Sequence, residues 1–229
     1  MIITIDGPAV SGKSTLGRML AKNLGYYYLY SGLLFRALAY LLINKGGYRE
    51  DDLRNPHADD VTKYLDPEKF IYQYNEQFKE SVFFDGIDIT PHLKNHFMDK
   101  MASIIGTNKS VRDFLANFQR HIAQKNPDIV VDGRDEGSIV FPAATIKFFL
   151  TALLEVRAER WRHEQKKIGN DVSQEQAMVM LRERDERDKN RETDPLIIPD
   201  DAMIVDNSYA SPEDILKQML TLMNRKLNT

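Results

Sequence analysis

Short apolar runs rich in β-branched or aromatic residues recur at Ile2–Ile5, Tyr27–Leu29, Ile129–Val131, Ile146–Leu150 and Ala202–Val205. Each has the length of a strand buried on both faces. Between them the apolar positions take helical spacing, over Ser14–Leu24, Leu33–Leu42 and Ser110–Ala123. Such alternation predicts an α/β fold, a parallel sheet with helices on both faces. Pro212–Leu227 carries Ile215, Leu216, Met219, Leu220 and Met223 on one stripe, which predicts an amphipathic closing helix with Ser211 as its N-cap. The alternation breaks between about Gly46 and Asn95. There Phe70–Gln77 and Glu80–Phe84 read as strands, with Asp85-Gly86 as a hairpin turn before Ile87–Ile89. Asp59–Pro91 is therefore expected to be an inserted β-rich subdomain. From Arg157 to Arg191 the chain is strongly charged and helical, and Asn44–Gly47 and Lys167–Asp171 are expected linkers.

The chemistry begins at the end of the first run. Gly7-Pro8-Ala9-Val10-Ser11-Gly12-Lys13-Ser14 fits G-x-x-x-x-G-K-[ST], and it lies between a predicted strand and a predicted helix. In that setting the loop amides and the helix N-terminus point at phosphate oxygens. The expected cradle runs from Gly7 to Thr15, with Lys13 reaching the β- and γ-phosphates of ATP and Ser14 on Mg²⁺. A guanine-nucleotide switch would need N-K-x-D, but Asn108-Lys109 is followed by Val111 where the Asp belongs. Asp132 ends a predicted strand and suits either a Mg²⁺-bound water or an ordinary turn with Gly133.

Arginines suggest the second substrate. Arg184, Arg187, Asp188 and Arg191 fall at i, i+3, i+4 and i+7, on one helix face. Arg134-Asp135 follows the third strand, at the carboxyl end where open α/β sheets bind ligands. The same arginine-rich segment also suits a solvated helix, because Glu183, Asp185 and Glu186 interleave. Net charge is only −3 over 229 residues, so a general nucleic-acid or membrane surface is not expected, and any basic site must be local. There are no cysteines, which excludes disulfides, thiolate metal sites and a cysteine nucleophile. No run has the length of a bilayer span, and the first residues lack the pattern of a signal peptide. A cytoplasmic monomer is expected.

These blocks resemble the bacterial cytidylate (CMP) kinases. The resemblance rests on Ile3-Thr-Ile-Asp-Gly-Pro-Ala9, Gly12-Lys-Ser-Thr15, Tyr28-Leu-Tyr-Ser-Gly32 with Arg36, Asp88-Ile-Thr90, and Val111-Arg112. It continues in Val131-Asp-Gly-Arg-Asp135, Val140-Phe-Pro142 and Arg184-Asp-Glu-Arg-Asp-Lys-Asn-Arg191 with Pro195-Leu196. It implies a five-stranded parallel sheet of order 2-3-1-4-5 within one P-loop kinase domain. The core would be 1–45, 96–156 and 192–229, with a nucleoside-monophosphate-binding insert at about 46–95 and a helical lid at about 157–191. It implies γ-phosphoryl transfer from ATP to CMP or dCMP, with Lys13, Asp132, Arg134 and Arg184 catalytic. By the same resemblance Ser31, Ser103, Arg112 and Asp135 would contact cytosine, and Arg36 and Arg134 would grip the acceptor phosphate. Arg184, Asp188 and Arg191 would reach the ribose and phosphates, and Arg157 and Arg160 are candidates for the lid. Tyr30 stands where the family usually has Asp, Glu136 where it has an apolar residue, and Val10 where it has a small one.

Overall fold

The computed structural model describes residues 1–167 and 169–228; Ile168, inside the second expected linker, lies outside the described residues. In chain order the elements are β1 (Ile2–Asp6), α1 (Lys13–Leu24), β2 (Tyr27–Tyr30), α2 (Ser31–Asn44), α3 (Ala58–Tyr64), β3 (Phe70–Tyr74), β4 (Glu80–Phe84) and β5 (Ile87–Asp88). They continue with α4 (His96–Ile105), α5 (Lys109–Lys125), β6 (Ile129–Asp132), β7 (Ile146–Thr151), α6 (Leu154–Lys167), α7 (Gln174–Asn190), β8 (Met203–Asp206) and α8 (Pro212–Leu227). A five-stranded parallel sheet has the order β2-β6-β1-β7-β8, and β3-β4-β5 form a separate antiparallel sheet. The first order is the predicted 2-3-1-4-5 when the long sheet's strands are numbered along the chain. The chain divides into two compact units, Met1–Tyr26 with Val130–Thr229, and Tyr27–Ile129.

In the first unit β7 pairs in parallel with β1 on one side and with β8 on the other. The apolar positions of these strands pack as expected: Ile3, Ile5, Phe148, Leu150 and Val205 are fully buried. Asp6 ends β1 at the strand's carboxyl end, where the chain turns into the glycine-rich loop and then α1. The closing helix has the predicted bounds. Its N-cap Ser211 accepts from the Asp214 amide at 3.2 Å, and Pro212 fills the first turn, where a missing N–H costs nothing.

In the second unit α2 is mostly apolar and buries Leu33, Leu34, Ala37, Leu38, Leu41 and Leu42. It packs against α4. The small sheet differs from expectation at both ends. β3 stops at Tyr74 rather than Gln77, because the Asn75 side chain accepts from the Gln77 and Lys79 amides at 3.0 Å and folds the chain over. β5 stops at Asp88, whose carboxylate accepts from the Thr90 amide at 2.9 Å. The start of the expected β-rich stretch is helical. Asp59 and Asp60 occupy the first turn of α3, where the helix dipole favours carboxylates. Tyrosines join β2 to this sheet: the Tyr72 hydroxyl donates to Tyr28 O at 3.1 Å and accepts from the Tyr30 amide at 3.0 Å.

Candidate active site

The glycine-rich loop of the first unit is built by close approach. Gly7 has φ +148° and a Cβ there would lie 2.0 Å from Leu150 O; Gly12 has φ +97° and a Cβ there would lie 2.3 Å from the Asn207 amide nitrogen. Asn207 follows β8 and donates to Ser11 O at 2.8 Å, so the end of one strand braces the loop that follows another. Val10 has φ +58°, the left-handed region that a β-branched residue resists, at a cost of about 1–2 kcal/mol. What offsets the strain is packing: Val10 lies against the buried cluster of Ala9, Ala158, Trp161, Ala177 and Leu181, which draws on the loop and on both α6 and α7.

Lys13 is buried and donates to Pro8 O at 2.7 Å. Burial, with Arg134 and Arg184 nearby, holds its ammonium well below the ordinary lysine value, against the opposing pull of Asp132 and Asp188. Arg134 and Arg184 thus lie near enough to oppose the Lys13 charge, with Asp132 and Asp188 only partly offsetting them, an arrangement that favours an added anion. Asp188 buries its carboxylate, which would push its pKa up, but Arg134, Arg184 and Arg191 outweigh that and hold it low. It accepts from Arg134 Nε at 2.8 Å. Arg191 lies 3.5 Å from Asp135 and donates from Nε to Asp194 O at 2.6 Å. Asp132 is buried at the end of β6. Asp6 is buried too and accepts from the Glu136 and Gly137 amides at 2.8 and 2.7 Å, while burial lifts its carboxyl to about 6.

Of the sequence-derived site residues, Gly7 to Thr15, Asp132, Arg134, Asp135, Arg184, Asp188 and Arg191 all belong to this unit. The expected common face of α7 holds only in part, because Arg187 is exposed whereas Asp188 is buried. Asp185 and Asn207 are not among the site residues expected from the sequence, and Arg157 takes a different part from the one expected of it. Asp185 accepts from the Ala9 amide at 3.2 Å and from Arg157 at 2.6 Å. Arg157, a lid candidate by resemblance, is buried and also donates to Ala9 O at 3.0 Å and Ala152 O at 3.0 Å. It holds the framework together. Asn207 lies at the carboxyl end of β8, where the rule for ligands in open α/β sheets would have placed a site residue. Arg160 donates to Asn207 O at 2.6 Å.

The second unit carries Ser31, Arg36, Ser103 and Arg112. Ser31 is buried at the start of α2, and Ser103 is half-buried on α4. Arg112, on the first turn of α5, donates to Gly106 O at 3.0 Å and lies over the Phe35 ring. Arg36 donates through Nε to Asp99 at 2.7 Å, and through Nη1 to the Tyr30 hydroxyl and Gly32 O, each at 2.8 Å. Tyr30 therefore has a definite task. Its hydroxyl and ring hold the Arg36 guanidinium, 5.2 Å above the ring centre. Asp99, 63 residues away, had no local signal.

Residues 3–225 match the family model described as cytidylate kinase. A cytidylate kinase of Bradyrhizobium diazoefficiens is 40% identical over 93% of this chain and 91% of its own length. One from Rhodopseudomonas palustris is 36% identical over 97% of this chain and 95% of its own. Among solved structures, an uncharacterized protein from Eubacterium ventriosum shares the fold with a TM-score of 0.53, at 12% identity over 98% of each chain. With a family model that spans almost the whole chain and relatives at this level of identity, the chain belongs to the cytidylate kinase family.

Proposed function

We propose that this chain transfers the γ-phosphoryl group of ATP to CMP or dCMP, giving CDP or dCDP and ADP. The observation that carries this reading is the buried Lys13 beside Arg134 and Arg184. Cations crowded together away from water are unfavourable until an anion joins them, and the surrounding loop has the form that holds phosphates. Transfer of this kind needs positioning and charge neutralisation more than covalent chemistry. Lys13 and loop amides within Gly7–Thr15, other than Pro8, which has none, and Ala9, whose amide is taken by Asp185, hold the ATP phosphates, and Arg134, fixed by Asp188, grips the acceptor phosphate. Arg36 is the second grip, and Arg184 and Arg191 bind nucleotide phosphates or ribose. Asp135 accepts from the cytosine exocyclic amine, with Ser31, Ser103 and Arg112 completing the base contacts.

The donor set suits Mg²⁺, since Ser14 and Asp132 offer hard oxygen ligands and phosphates supply the rest. When bound, the cation neutralises phosphate oxygens. We read about 46–95 as the acceptor-binding insert and about 157–191 as the lid, in a monomeric cytoplasmic enzyme. No helix of the described residues is long and apolar enough to cross a membrane.

The test is ADP release from ATP as CMP, dCMP, UMP, AMP and shikimate are added in turn. CMP and dCMP give release well above the rate with water alone. Release with none of the five would sink the reading, and equal release with UMP would remove the base-reading role of Asp135. A second result is expected from Arg134→Ala. Losing a charge-assisted grip on phosphate of about 1.5–3 kcal/mol lowers kcat/KM for CMP by about 10- to 150-fold. ATP binding, followed by calorimetry, stays near the parent value; an unchanged response to CMP would refute the role.

A further inference from the structure

The loop and Arg134 are both bonded to one helix, α7. Ala9, in the middle of the loop, has both its backbone polar groups taken by a single buried ion pair: its amide donates to Asp185 at 3.2 Å, and its carbonyl accepts from Arg157 at 3.0 Å. Arg157 and Asp185 are joined at 2.6 Å, with side chains only 7% and 8% exposed. Three residues further along α7, nearly one helical turn, Asp188 fixes Arg134. The Asp188 carbonyl in turn accepts from the Leu196 amide at 2.7 Å. The same helix is pressed to the loop by apolar contact, with Val10 and Ala9 against Leu181 and Ala177. The left-handed backbone at Val10 is held by these contacts, so a displacement of the loop loads the ion pair and the helix directly.

We infer that Asp185, with Arg157, is a positioning residue that links the phosphate loop to the acceptor-side arginine Arg134, so that nucleotide on the loop tightens binding of the acceptor. The inference rests on the proposed phosphoryl transfer, and it assigns Asp185 a task that neither substrate contact nor the loop motif supplies. A phosphate seated on the loop resets the backbone around Ala9. Asp185 and Arg157 carry that change into α7, and Asp188 with Arg134 follows as part of the same helix. Since linkage is reciprocal, CMP must tighten the loop ligand by the same factor.

Asp185→Ala leaves the Arg157 charge buried alone, so a misfolded protein would be an uninformative outcome. The variant to use is Arg157→Met with Asp185→Leu, which replaces the pair by apolar side chains of similar size and keeps the helix packed. CMP is titrated by calorimetry into the full-length protein alone and into protein saturated with ADP and Mg²⁺. In the parent the ADP-bound form binds CMP at least about fivefold more tightly. In the double variant, which loses the bonds to Ala9 and so melts lower but still in one cooperative transition, CMP and ADP each still bind alone, and that ratio falls to about one. A parent ratio of one, or a ratio that survives in the folded variant, overturns the linkage. Failure of CMP to bind the parent under either condition overturns the proposed activity, and the linkage with it. A ratio of one with CMP plainly bound overturns the linkage alone.

Discussion

Lys13→Ala lowers turnover by about 10²- to 10³-fold or more, while the melting temperature moves little. The kinetic loss follows from position. Lys13 stands in the phosphate loop, close enough to Asp132, Arg134, Arg184 and Asp188 for each to shift its titration. Removing a preorganised cation from a water-poor site withdraws stabilisation from charge that develops during transfer. Stability behaves differently because two effects oppose each other. The mutation deletes the bond to Pro8 O, which leaves a carbonyl short of a donor at a cost of about 1–3 kcal/mol. It also removes a desolvated ammonium that repels Arg134 and Arg184. Steady-state ADP release measures the first effect and scanning calorimetry the second. Lys13→Met, which keeps the stem, separates lost packing from lost charge. Turnover within a few-fold of the parent in both variants would remove Lys13 from the chemistry.

The parts that could be read from the sequence were those governed by local rules. Ser211 before Pro212 and a clean apolar stripe placed both ends of α8. Glycines at fixed spacing between a strand and a helix placed the loop. The alternation of Glu80–Phe84, closed by Asp85-Gly86, placed β4 and its turn; both turn residues have positive φ, as such a hairpin needs. What escaped depends on contacts between distant segments. Asp185 sits among Glu183, Glu186 and Arg187 and reads as one more solvated charge, yet it is buried because a loop 176 residues away turns its backbone toward it. Arg157 looks equally like surface charge and is buried by the same partner. Tyr30 reads as a lost carboxylate. The structure shows a different solution, in which a phenol and its ring, with Asp99, hold Arg36. Asn75 shortened β3 through side-chain bonds to two amides, a turn that competes with the strand at the level of one residue.

Gly7→Ala destabilises the protein by about 3–5 kcal/mol, from a total that is about 5–15 kcal/mol for ordinary domains. Two costs add. At φ +148° an L side chain meets backbone strain of about 1–3 kcal/mol. The new methyl would also sit 2.0 Å from Leu150 O. That oxygen cannot step aside, since β7 is paired on both edges, with Leu150 opposite Val205 of β8 and Phe149 opposite Asp6 of β1. The clash is relieved only by moving the loop away from the strand, which shifts the amides that hold phosphate. In thermal unfolding the expected fall is about 6–20 °C, and affinity for ADP drops with it. Gly25→Ala is the control. Gly25 also has positive φ, +70°, but a Cβ there meets nothing within 4 Å. That change costs only about 1 kcal/mol, the ordinary price of losing glycine at a helix end. If the two variants melt together, the close approach of Leu150 contributes nothing, and the fit of the loop against β7 is not what makes glycine necessary at position 7.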